Sequence, residues 1–212
     1  MKNFYLGLIF ILGTLLHPGL TRANPIYSCD VTTAKCNGNT YALYVVSHVG
    51  DTWQLQFDIK VLSSYTGTHW TDLINAVEIK NFAPVFTNAS LISAPDGKDN
   101  WVFDTTNELS ANGCQNGNSD PACIQAKSPY PGAAFQDGDI LSWLIQFDAT
   151  TLNDTATIKY RYVNSAGAKV GDLGSWEIGV QRVPEPATVA LTGFGLLIVG
   201  YMRRRRTCRV SI

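Results

Sequence analysis

The chain is 212 residues long, 45% hydrophobic and 16% charged, with a formal net charge of −1. That near-neutral total hides a division: between Asn24 and Arg182 nine basic residues face sixteen carboxylates, a balance of −7, and the other seven cations sit in the terminal segments. The central part therefore lacks the positive surface that phosphate recognition needs, which excludes nucleic acid as a partner.

At the N-terminus, Met1-Lys2-Asn3 is a short basic start and Phe4 to Leu16 an unbroken run of apolar or small residues. Thr21-Arg22-Ala23 then places small residues at the positions a signal peptidase reads. The thirteen-residue run falls short of the roughly 18 apolar residues of a stable span, so residues 1–23 read as a cleaved secretory signal peptide. The segment 24–182 beyond it has the size of one ordinary domain.

Cys29, Cys36, Cys114 and Cys123 lie in that domain, an even set suited to an oxidising compartment. Four thiols allow three pairings. Proximity in sequence favours Cys29 with Cys36 and Cys114 with Cys123, each closing a loop rich in turn formers. Gaps of six and eight residues do not match the usual spacing of about two to four between zinc-binding cysteines.

Strand periodicity dominates the domain. Asp51 to Leu62 alternates Trp53, Leu55, Phe57, Ile59 and Val61 with Thr52, Gln54, Gln56, Asp58 and Lys60, a period of two that buries one face and wets the other. Ile140 to Ala149 repeats the pattern, as do Ala156 to Tyr162 and Trp176 to Gln181. Further strands are expected over Tyr41 to His48, Ala76 to Phe82, Val85 to Ile92 and Trp101 to Asp104. Asp72 to Val77 has room for at most one short helical turn. Turn formers separate these runs at Gly50-Asp51, Asp96-Gly97, Asp137-Gly138, Asn153-Asp154 and Asn164 to Gly167. The expected fold is all-β, an antiparallel sandwich or jelly roll.

Catalytic constellations are missing from this pattern. His48 and His69 are the domain's histidines and neither belongs to a motif; no nucleophile elbow, H-E-x-x-H pair or phosphate-cradling glycine loop occurs. The domain reads as non-enzymatic and without a cofactor. Two weaker ligand signals remain. Trp70 in its polar loop, with Tyr65 and Tyr130, offers rings on which a sugar could stack. Asp96, Asp99, Asp137 and Asp139 offer oxygen ligands of the kind Ca²⁺ accepts, although neither aspartate cluster has the twelve-residue loop of the calcium-binding helix pair.

Past Arg182 the composition changes. Pro184 fixes its own backbone angle and Pro186 drives Glu185 out of the helical region, so Pro184-Glu185-Pro186 is held extended, as a processing enzyme requires of its substrate. Ala187 to Met202 is a sixteen-residue apolar run, about 24 Å as a helix against a hydrocarbon core of roughly 30 Å. Four consecutive arginines, Arg203, Arg204, Arg205 and Arg206, then mark the cytoplasmic side and stop the chain there. The same features would suit a plain single-pass anchor.

In this order and at this end, the tripeptide, the short span and the arginine cluster resemble the PEP-CTERM sorting signal of Gram-negative bacteria. The resemblance covers residues 183–212, with a transmembrane helix at 187–202 and a basic tail at 203–212. It implies recognition by a membrane-embedded exosortase, cleavage near Pro184 to Pro186, transient tethering at the inner membrane with the domain in the periplasm, and release to the cell surface or extracellular matrix. It also implies an association with exopolysaccharide and biofilm. Ile158 to Trp176 is similar to the last strands found in such proteins. The expected role is a non-catalytic surface or matrix component; the alternative is a surface carbohydrate-binding module. If the tail is removed, the intact mass of the mature protein will lack everything from about Pro186. A mature chain that retains Cys208 in cells possessing an exosortase would argue for the plain anchor.

Overall fold

The computed structural model describes residues 26–27, 39–61, 73–117 and 121–182. The expected signal peptide, Cys29, Cys36, Tyr65 and Trp70 lie outside the described residues, as do Pro184, Glu185, Pro186, the 187–202 span and the stop arginines Arg203, Arg204, Arg205 and Arg206.

Twelve strands form the described fold: β1 (Asn39–Val49), β2 (Thr52–Val61), β3 (Leu73–Lys80), β4 (Thr87–Ser93), β5 (Trp101–Asp104), β6 (Asn107–Ser110), β7 (Gly113–Asn116), β8 (Ala122–Ala126), β9 (Ala133–Ala134), β10 (Ile140–Asp148), β11 (Thr155–Val163) and β12 (Lys169–Gln181). A 3-10 turn, Lys98–Asn100, leads into β5. The order β4-β10-β2-β1 makes one layer and β12-β11-β3-β8-β5 the other, with β9 on the edge of β3. The fold is thus the all-β sandwich that the alternation predicts, with one departure from antiparallel pairing. β12 runs antiparallel to β11 from Val163↔Lys169 to Thr155↔Gly179, and its last residues pair in parallel with β1 at Leu43↔Val180 and Tyr44↔Gln181.

The inward parities pack as the alternation requires. Leu55, Phe57 and Ile59 of β2, Trp143, Ile145 and Phe147 of β10, and Ile158 and Tyr160 of β11 are all fully buried in one cluster. Aromatic rings cross between the layers: Tyr41 stacks on Tyr160 with centroids 5.3 Å apart, and Trp101 meets Trp143 edge-on at 5.5 Å. Offset and edge-on geometries of this kind add to the burial of the rings themselves. Gly174 makes the space this needs, because a Cβ there would lie 2.1 Å from the Tyr160 ring.

Two expectations are corrected. The helical turn allowed over Asp72 to Val77 is absent over its described part, where β3 begins at Leu73. β3 is paired on both sides, by β11 and by β8 and β9, so its backbone groups are served by neighbouring strands. The pairing skips Asn75, since Arg161 faces Ala76 and Tyr162 faces Ile74. This bulge turns Ile74 and Val77 to the same core, a spacing that imitates a helix.

The second correction concerns the outer faces, which the alternation predicts to be wet. On the β3–β11 layer Glu78 is 0% exposed and Arg161 8% exposed. For Glu78 the cause is the β6–β7 hairpin, which lies over this face and forms a small second core with Leu109, Ala76 and Cys123. On the other layer Asp58 is also buried, accepting hydrogen bonds from Tyr44 Oη at 3.0 Å, Gln56 Nε2 at 2.8 Å and Tyr27 Oη at 3.3 Å.

Charge and a covalent bond hold the hairpin down. Glu78 Oε2 accepts from the Leu109 N–H, and Glu78 Oε1, which lacks a hydrogen bond in the strict geometric sense, lies 3.0 Å from Lys159 Nζ. Glu108 of the hairpin sits between Lys80 at 3.3 Å and Lys159 at 3.7 Å. The Cys114–Cys123 disulfide joins β7 to β8 with Cα atoms 6.0 Å apart. Replacing both cysteines with serine opens a nine-residue separation, which should cost roughly 2–3 kcal/mol by loop closure. Chemical denaturation will read that loss, and hydrogen exchange will show β6 and β7 losing protection first. Unchanged stability would mean that the charged contacts hold the hairpin alone.

Candidate functional site

The sandwich has two unlike poles. At one, Ala149 N donates to Asp51 O and Asn153 N to Phe82 O, each at 2.8 Å, which ties the turns after β1, β3 and β10 together. β12 ends here, with Val180 N donating to Asp154 O at 2.8 Å and Arg182 paired to Asp154 at 3.0 Å. Ile26 lies against Gln181, its N–H donating to Gln181 Oε1 at 2.7 Å. The described stretches nearest the two terminal segments are therefore neighbours.

The opposite pole collects the described loops that carry Asp96, Asp99, Tyr130, Asp137 and Asp139. Val61 ends β2 beside the 135–139 connection, accepting from Gly138 N at 3.2 Å and donating to Asp139 O at 2.9 Å. Leu73, where β3 begins, pairs with Ala134 of β9. The segment that contains Tyr65 and Trp70 joins these two ends, so both of its attachment points are at this pole. The 94–100 and 127–132 loops meet here too, with Lys127 N donating to Asn100 O at 2.8 Å.

Tyr130 is the centre of this surface. Its hydroxyl donates to Asp96 Oδ2 at 2.6 Å, and its ring stands edge-on to Trp101 at 5.8 Å. Burial, then the hydrogen bond to Asp96 and that group's negative charge, hold the Tyr130 hydroxyl well above its usual range. Two concavities flank the ring. One, of about 290 Å³, is lined by Asn75, Ser128, Tyr130, Pro131 and Ser165 to Gly167; the other, of about 360 Å³, by Asp99, Asn100, Lys127 and Tyr130. Gly132 brings the loop down onto β3: at φ +135° it lies so close that a Cβ would be 2.7 Å from the Ile74 carbonyl oxygen.

The aspartates have local duties. Asp96 receives Tyr130 and its carbonyl accepts from Asn100 Nδ2 at 2.6 Å; Asp139 Oδ2 accepts from the Gln136 N–H at 2.6 Å. Asp99 and Asp137 are exposed. Among the described residues no three His, Cys, Asp or Glu side chains converge as a metal site requires. His48 stacks on Trp53 with centroids 3.5 Å apart, far along β1 from this pole.

Asn75 and Arg161 were not singled out by sequence reasoning, and both bear on the first concavity. Arg161 Nη1 donates to Asn75 Oδ1 at 3.2 Å, and its buried Nε has no hydrogen-bond partner among the described residues. The signal that could have found them is weak: Arg161 is one of two arginines in the domain and follows the expected wet parity. Nothing in the sequence marks the bulge that turns Asn75 towards it.

The tail matches the family model described as the PEP-CTERM protein-sorting motif over residues 182–206. No curated protein matches the chain. Among solved structures, it is similar to an uncharacterized protein from Nocardia farcinica with an immunoglobulin-like fold, at 13% identity and TM-score 0.40, covering 66% of this chain and 97% of that one. The major pilin SpaD from Corynebacterium diphtheriae matches at 10% identity and TM-score 0.35, over 62% of this chain and 31% of the pilin. The chitin-binding domain of Chi18aC from Streptomyces coelicolor matches at 10% identity and TM-score 0.31, over 57% and 90% respectively.

Tyrosinate absorbance across an alkaline titration tests the geometry at the centre of this pole. Because the folded value is raised, the Tyr130 contact is intact below the ordinary tyrosine range and is lost only as pH climbs beyond it. Tyr27 and Tyr41 are also held above the usual range, so the expected result is read as a difference between the two proteins: one tyrosine should ionise earlier in Asp96→Asn than in the wild type. An unchanged titration in that variant would contradict the hydrogen bond.

Proposed function

We propose that this chain, which carries a PEP-CTERM sorting motif and is thereby an exported substrate for exosortase processing, serves as a non-catalytic component of the cell surface or extracellular matrix. The motif implies a protein first held at the membrane and then moved to the surface. The observation that carries the finer reading is the polarity of the sandwich. β12 delivers the chain to the sorting segment at one pole, and the loops with recessed, polar surface gather at the other. A domain attached through its C-terminal end would present those loops outward. The balance of −7 between Asn24 and Arg182 keeps such a domain soluble and away from anionic envelope surfaces.

A carbohydrate-binding module is the second reading, favoured by the placement of Tyr130 between two concavities at the loop pole. An exopolysaccharide of the matrix would be its partner. An aromatic face beside amide and hydroxyl groups is the usual chemistry for a sugar ring.

Locating the protein with an antibody against its domain, in cells carrying wild-type or Pro184→Ala/Pro186→Ala tails, tests the first reading. The wild-type protein should appear at the surface or in the matrix without its tail. The variant should stay in the membrane fraction at full length. Identical distributions would overturn exosortase-dependent delivery.

A further inference from the structure

We infer that the concavity between Asn75, Tyr130 and the Ser165 to Gly167 turn binds a carboxylate-bearing sugar, a uronic acid residue of an acidic polysaccharide, with the buried Arg161 supplying the positive charge through Asn75. This rests on the carbohydrate-binding reading of the same pole and names its ligand class.

A guanidinium taken out of water is expensive unless a carboxylate answers it. Arg161 is 8% exposed, yet among the described residues it forms no ion pair; its hydrogen bond goes to the neutral Asn75 amide at 3.2 Å. Glu78, the other buried charge on this face, is treated differently, since it sits in a set of partly exposed charges. Glu78, Lys159, Glu108 and Lys80 pair among themselves.

Asn75 is the link between that charge and the surface. Its Oδ1 is taken by Arg161, which fixes the amide so that Nδ2 is the group left to donate, and Asn75 is part of the wall of the 290 Å³ concavity. The remaining described wall supplies the Ser128 and Ser165 hydroxyls and the Tyr130 ring, and contains no acidic side chain. Donors, an aromatic ring and a cation without an ion pair behind them suit a sugar that carries a negative group. The domain's overall acidity does not oppose this at short range, because exposed charges are screened beyond roughly 8–10 Å in physiological salt.

Calorimetric titration of the full-length protein in detergent micelles tests the inference, with oligogalacturonate as probe and its methyl-esterified form as the uncharged control. The acidic oligosaccharide should bind at least tenfold more tightly than the ester, and added salt should narrow the gap. Arg161→Gln risks the fold, so the decisive variant is Asn75→Asp, which places a carboxylate of nearly the same shape against the guanidinium. It should keep or raise the melting temperature and weaken acidic oligosaccharide binding at least tenfold. Equal binding of acid and ester, or undiminished binding by Asn75→Asp, overturns the role of Arg161 while leaving a neutral glycan site standing. Binding of neither probe by the wild-type protein overturns the inference together with the glycan reading of this pole.

Discussion

β12 belongs to both layers of the sandwich, and the rest of the molecule is arranged around that double membership. Along most of its length it is the antiparallel neighbour of β11; at Val180 and Gln181 it becomes the parallel neighbour of β1. A strand cannot serve two layers unless they converge where it crosses, and its crossing puts the end of the domain beside the turns at one pole. The sorting segment starts from there. The described loops with recessed polar surface are consequently a full strand length away, at the other end of β2, β3 and β10.

The outer face of β3 and β11 shows how the domain uses covering elements. Alternation alone would leave Glu78, Lys159 and Arg161 in water. The β6–β7 hairpin takes Glu78 out of it and must satisfy what it buries. It does so with a backbone N–H and Glu108, and the disulfide anchors it to β8. Arg161 lies beyond the paired set of charges, its hydrogen bond going to the neutral Asn75 amide.

How much of this was legible beforehand depends on the residue. Trp53 to Val61 and Leu141 to Phe147 announce their inward faces because nothing interrupts their alternation, and the structure buries them as read. The strand expected over Ala76 to Phe82 is the later part of β3, and its start was obscured by the bulge at Asn75, which breaks the parity and makes Ile74 and Val77 look helical in spacing. β6 and β7 are short and polar, so local pattern could not show a hairpin lying flat on a sheet. Tyr130 was visible as an aromatic near turn residues. Its tie to Asp96 joins two loops separated by 34 positions. The Asn75–Arg161 contact spans 86 positions and depends on strand register.

The proposed role has the domain held by its β12 end with the loop pole outward. Single cysteines placed at exposed Asp99, on the loop pole, and exposed Asp51, on the tail pole, can be compared in intact cells with a membrane-impermeant thiol reagent. The account predicts that Asp99→Cys is labelled several-fold faster than Asp51→Cys on cells and at a similar rate in the purified protein. Equal labelling on cells, or faster labelling of Asp51→Cys, would contradict it.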